Sequence, residues 1–123
     1  MNIALWIVQG LLAFAFGIAG QLKSLQYAKA AQLLPWVPAV PEPLVRLIGT
    51  SELLGALGVL LPWATGVRRG LTPLAAAGLA AIMLLAMAFH ASRGEWTALP
   101  INLTLGALAA FVAWGRRRDL LRG

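Results

Sequence analysis

The sequence predicts an all-α fold: a transmembrane four-helix bundle with a short interfacial segment between helices 1 and 2. Three observations lead there. Of 123 residues, 60% are hydrophobic and only 11% are charged. A soluble domain of this size leaves too much surface in water for so few charges to cover. Four stretches reach the length of about 20 mostly apolar residues that crosses a bilayer at 1.5 Å rise each. Between the first two of these stretches lies a cluster of four prolines, Pro35, Pro38, Pro41 and Pro43, which interrupts any helix there.

The first apolar run, Ile3–Leu22, carries no charge. No Lys or Arg precedes it, and it is too long for the apolar core of a signal peptide, so it is expected to remain as the first span. The connection over 24–46 has two parts. SLQYAKAAQLL is suited to a short amphipathic helix in the interface, and PWVPAVPEP is not helical. Tyr27 and Trp36 suit the headgroup region, and the segment is expected to lid one end of the bundle. The second run, Leu47–Val67, carries one charge, Glu52. The third, Gly70–Phe89, carries none and ends at His90; the fourth, Trp96–Gly115, also carries none. Allowing for helix ends, the spans are placed at about 3–22, 45–66, 70–91 and 97–115, in a single domain over 1–123. The links at Arg68–Arg69 and at SRGEW are short, as between antiparallel neighbours.

Small residues recur at helical spacing: Gly17 with Gly20, Gly55 with Val59, Gly106 with Ala110. In lipid such residues let helices approach closely, and outward stripes of them are expected to pair chains as a homodimer.

The net charge is +6. Because the basic residues sit between and after apolar runs, they are read as topology determinants and contacts for membrane lipid, with no nucleic-acid partner. The side holding both termini carries six, Arg68, Arg69, Arg116, Arg117, Arg118 and Arg122, against four opposite, Lys23, Lys29, Arg46 and Arg93. Cytoplasmic termini follow. The C-terminal GRRRDLLRG is read as a topology anchor.

Helical spacing assigns each span an inward face. The stripes are Gln9, Ala13, Phe16, Gly20 and Lys23; Gly49, Glu52, Ala56 and Val59; Ala76, Ala80, Met83, Met87 and His90; and Asn102, Gly106, Ala109 and Ala113. Leu, Ile and Val are left for lipid. Lys23, Glu52, His90 and Asn102, one from each span, then fall in the same half of the bilayer, with Gln21 beside them by depth and Gln9 much deeper. Glu52 lies about 12 Å below the surface at helical rise. A carboxylate in hydrocarbon is costly and marks a functional candidate. Lys23 is its best partner by depth, then His90, with Arg46 or Arg93 at the rim. Read catalytically, Glu52, His90 and Lys23 handle protons or polarise an oxygen. Asn102, Gln21, Met83, Met87 and Gly49 line the place for an apolar ligand. The bland reading is a structural ion pair with Asn102 as interhelical glue and the methionines as gap fillers.

Several chemistries lack their parts. A single His excludes bis-histidine haem ligation, and zero Cys excludes iron–sulfur clusters and thiolate metal sites. No metal site is expected; zinc would need Glu52, His90 and a further ligand. There is no Walker or Rossmann glycine pattern.

FGIAGQLKSL at 16–25, LIGTSELLGALGVLLP at 47–62, LTPLAAAGLAAIMLLAMAFHASRGE at 71–95 and NLTLGALAAFVAWGRR at 102–117 together resemble the DoxX-like family of small bacterial membrane proteins. The shared pieces are Gly–x–x–Lys closing span 1, Gly–x–x–Glu–Leu–x–Gly in span 2, a His closing span 3 and an Asn opening span 4. The family's polar positions fall on Lys23, Glu52, His90 and Asn102. The resemblance implies a four-helix fold in the bacterial inner membrane and a link to redox assemblies, since the family is named after a subunit of a thiosulfate–quinone oxidoreductase.

Two functional readings stand side by side. In one, a quinone or lipid-like molecule binds at the polar site, with redox-linked proton transfer or double-bond isomerisation. In the other, the chain is a non-catalytic structural or assembly subunit beside membrane redox partners.

Overall fold

Four long helices carry the four apolar runs: α1 (Asn2–Leu25), α3 (Glu42–Thr65), α4 (Leu71–Ser92) and α5 (Leu99–Gly115), with a short α2 (Tyr27–Leu33) after the first. This computed structural model describes residues 2–118. Each long helix, α5 together with the 3₁₀ turn Trp96–Ala98 before it, is long and apolar enough to span a membrane. The described residues contain no strand.

The helices start and stop for local reasons. The proline-rich segment makes one 3₁₀ turn, Val37–Ala39. It then enters α3 at Glu42, earlier than expected, with Pro43 in the first turn. A proline is tolerated there because its missing N–H has no intrahelical acceptor. At the far end Gly66 closes α3 at φ +76 and donates its N–H to the Pro62 carbonyl, a left-handed cap that glycine adopts without Cβ strain.

α1 packs on α3 and α5, and α4 packs on α3 and α5. The four spans therefore form a square, α1 diagonal to α4 and α3 to α5. The start of α1 and the end of α5 lie at one end. The α2–Val40 segment closes the other, where Ala30, Val37 and Val45 form a small buried cluster with Tyr27 and Trp36 against it.

The main core runs down the middle through Leu5, Leu12, Phe16, Ala56, Val59, Ala76, Leu79 and Val112. This corrects the assignment of Leu and Val to lipid alone. Lipid tails are as apolar as leucine, so burial gains little and shape decides which side chain turns inward. Bulky residues fill the axis where helices stand apart; glycines mark where they touch. Of the expected small-residue contacts, Gly20 meets α3, Gly55 meets Leu79 and Gly106 meets Met83, whereas a Cβ on Gly17 would meet nothing within 4 Å. Gly17 stands off the helix contact.

Candidate functional site

The closest helix contact builds the first half of the site. A Cβ on Gly20 would fall 2.5 Å from the Leu53 backbone nitrogen, and one on Gly49 would fall 2.6 Å from the Ser24 nitrogen. Only glycine permits that approach. One turn from each glycine, Lys23 and Glu52 meet: Lys23 Nζ donates to Glu52 Oε1 at 2.7 Å. The Glu52 side chain is 2% exposed and that of Lys23 12%. Two charges in a low-dielectric interior are tolerable only together, since removing either strands the other.

Trp36, from the proline-rich segment, covers this pair. Lys23 Nζ sits 5.4 Å from the centre of its ring. The same ring meets His90 edge-on at 6.0 Å and Phe89 at 5.8 Å. Trp36 thus does more than sit at the interface: it joins the α1–α3 pair to the end of α4. His90 is buried, and its Nδ1 lies 2.9 Å from Glu95 Oε1. Glu95 also accepts from Arg93 Nε at 3.0 Å. The hydrogen bond from Arg93, reinforced by His90, holds the Glu95 carboxyl below its usual range. Glu95 escaped sequence reading; its signal was an acid five residues after the His with an Arg between.

The other rim candidate, Arg46, bridges α3 to α1. It bonds Glu42 at 2.9 Å and the Ser24 carbonyl at 2.8 Å. Gly49 stands at the helix contact, and Gln21 is half-buried on α1.

Asn102 faces elsewhere. Together with Met83 and Met87 it lines a groove of about 240 Å³ between α4 and α5. That groove is otherwise walled by Leu84, Gly106, Ala107 and neighbours, and includes none of Lys23, Glu52 or His90. Among the described residues the Asn102 Nδ2 is buried with no hydrogen-bond partner. A buried donor left unmade costs roughly 1–3 kcal/mol. The four polar positions are thus split: two form an ion pair, a third adjoins it through Trp36, and the fourth opens a separate groove. No group of three or more His, Asp or Glu side chains that could hold a metal ion occurs among the described residues.

A family model described as the DoxX-like family matches residues 7–112. The chain belongs to the DoxX-like family. With four apolar helices it is a multi-pass integral membrane protein. No curated protein and no solved structure matches it. The DoxX-like match takes in Lys23, Glu52, His90, Glu95 and Asn102, and ends short of Arg116.

Arg116 organises the opposite end. Expected among the surface arginines, it is instead buried at 6% exposure. Its Nε donates to Gln9 Oε1 at 2.9 Å and its Nη1 to Asn2 Oδ1 at 2.9 Å. The guanidinium lies 3.8 Å from the centre of the Trp63 ring, where Arg69 also stacks at 4.5 Å. Gln9 completes the array by donating Nε2 to the Val59 carbonyl at 2.9 Å. Of the expected C-terminal anchor, residues 119–123, Arg122 included, lie outside the described residues.

Proposed function

We propose that the protein binds a small apolar molecule with a hydrogen-bonding oxygen, of the quinone or lipid-like class, at the end of the bundle where Lys23, Glu52 and His90 lie. One observation carries this reading: the buried Lys23–Glu52 contact lies under a Trp36 ring that also packs on His90. Lys23 has the donor to polarise a carbonyl, and Glu52 the carboxylate to take or return a proton. His90, bonded to Glu95 at the surface, offers a place for that proton outside the apolar core.

The protein sits in the bacterial cell membrane with cytoplasmic termini. Leaving out Arg116 and Lys23, five basic residues remain on the termini side against three opposite, which supports that orientation.

The closed geometry of the Lys23–Glu52 pair also favours a second reading, a structural subunit whose ion pair holds α1 to α3. Quinone binding and melting of the purified protein and of Glu52→Gln separate the two. Glutamine keeps an oxygen that accepts from Lys23. Lost quinone binding with a nearly unchanged melting temperature supports the binding reading. No binding by either form, with a lower melting temperature for the variant, makes the protein a structural subunit.

A further inference from the structure

We propose that Arg69, laid over the Trp63 ring, holds the phosphate of one anionic phospholipid at the end of the bundle opposite to Lys23, Glu52 and His90. Quinone binding at the capped end is independent of this site.

Acids and bases are unevenly divided between the two ends. Glu42, Glu52 and Glu95 all lie at the capped end, and each meets a cation there. Arg68, Arg69, Arg116, Arg117 and Arg118 gather at the other. The sequence has one further acid, Asp119, which lies outside the described residues. One carboxylate balances one guanidinium, so most of these arginines take their counter-charge from outside the chain.

Among them Arg69 is the one prepared for an anion. Its guanidinium stands 4.5 Å from the centre of the Trp63 ring, which Arg116 approaches to 3.8 Å. Two cations share one ring, and their repulsion favours an anion beside them. Arg69 Nη2 also lies 3.7 Å from where a Cβ on Gly66 would stand, so the side chain lies back along the turn between α3 and α4. Arg69 is exposed and makes no hydrogen bond or ion pair among the described residues. A guanidinium held by its face keeps its edge donors free, and their fork matches two phosphate oxygens.

The surroundings select a lipid over a soluble ion. Trp63 lies in the last turn of α3, half-buried, at the level of the headgroups. Val67 and Leu71, on either side of Arg69 in the chain, are 64% and 46% exposed, and Leu74 is 57% exposed one turn later. A cation with apolar side chains bared beside it matches a phosphate that carries acyl chains. The ammonium of a zwitterionic headgroup would meet the same arginines as a like charge, so a net anionic headgroup is favoured.

The test is native mass spectrometry of the full chain released from nanodiscs of equal phosphatidylglycerol and phosphatidylethanolamine with matched acyl chains. One phosphatidylglycerol is expected to stay bound, retained well above phosphatidylethanolamine. Arg69→Gln is expected to lower its retention roughly tenfold or more, as for one charge-assisted hydrogen bond, while the melting temperature holds. Arg69→Lys keeps the charge but loses the flat face and the fork, and a similar loss is expected. Arg118→Gln removes the same charge with no ring beneath it and is expected to change little. Equal retention of the two lipids by the wild type overturns the proposal. So does full retention by Arg69→Lys, or an equal loss in Arg118→Gln, since either would mean that charge alone attracts the lipid. Displacement of the bound lipid by inorganic phosphate at the same concentration would make a soluble anion the occupant, and overturns it too.

Discussion

Lys23 and Glu52 meet at 2.7 Å across 29 residues of sequence, and they do so because Gly20 and Gly49 let α1 and α3 touch along their backbones. The ion pair is thus a consequence of two missing side chains. Without that close approach a lysine at the end of a span would send its ammonium to the headgroups.

Gly20→Ala is expected to destabilise the protein by about 1–3 kcal/mol, since its Cβ has backbone on the far side and no flexible side chain to displace. Gly17→Ala, with nothing within 4 Å, is expected to stay within about 0.5 kcal/mol of the parent. Thermal unfolding of the two variants in one detergent compares them directly; similar losses would remove the distinction.

Glu52→Ala leaves the Lys23 ammonium buried without its counter-charge. A loss of about 3–5 kcal/mol is expected, and replacing both partners by Leu and Met is expected to cost less than either single change. A double-mutant cycle reads the coupling. Additive losses would mean that the pair contributes nothing as a pair.

Glu95 sets an acid limit on the capped end. Its carboxyl is held below the ordinary value of 4.5, first by Arg93 and then by His90. A carboxyl with a lowered folded pKa contributes stability that is complete above the unfolded pKa. That contribution is lost as pH falls through the folded value. The contacts of Glu95 with Arg93 and His90 are therefore expected to persist from neutral pH down past 4.5 and to fail only below it. Carboxyl carbon shifts of labelled Glu95 followed by NMR check this; a midpoint at or above 4.5 contradicts it.

At the other end, Gln9→Leu removes the acceptor of Arg116 Nε and the donor to the Val59 carbonyl together. A cost of about 2–3 kcal/mol is expected from the buried groups left unmatched. Gln9→Glu, which keeps an acceptor for the guanidinium, is expected to lose less. Melting curves of the two variants decide the order.

Composition and hydropathy determined the architecture of this protein. A chain with so little charge and four apolar runs has only one way to satisfy its backbone in lipid, as helices. The proline cluster determined where the bundle is lidded. Sequence position put Glu52 and Lys23 in the same half of the bilayer, because helical rise converts position along a span into depth; their contact needed the close approach at Gly20 and Gly49.

What the tertiary structure decided is direction around each helix. In water an apolar stripe identifies the inward face; in lipid both faces are apolar, and fit alone turns Leu12 and Leu79 inward and Gly17 away from the helix contact. For the same reason depth alone grouped Asn102 with the ion pair, while packing turned it into the α4–α5 groove. Packing also drew Arg116 from the expected surface cluster into the bundle beneath Trp63. Position along a span is one-dimensional and legible in the chain; which neighbour a side chain meets is set only when four helices settle against one another.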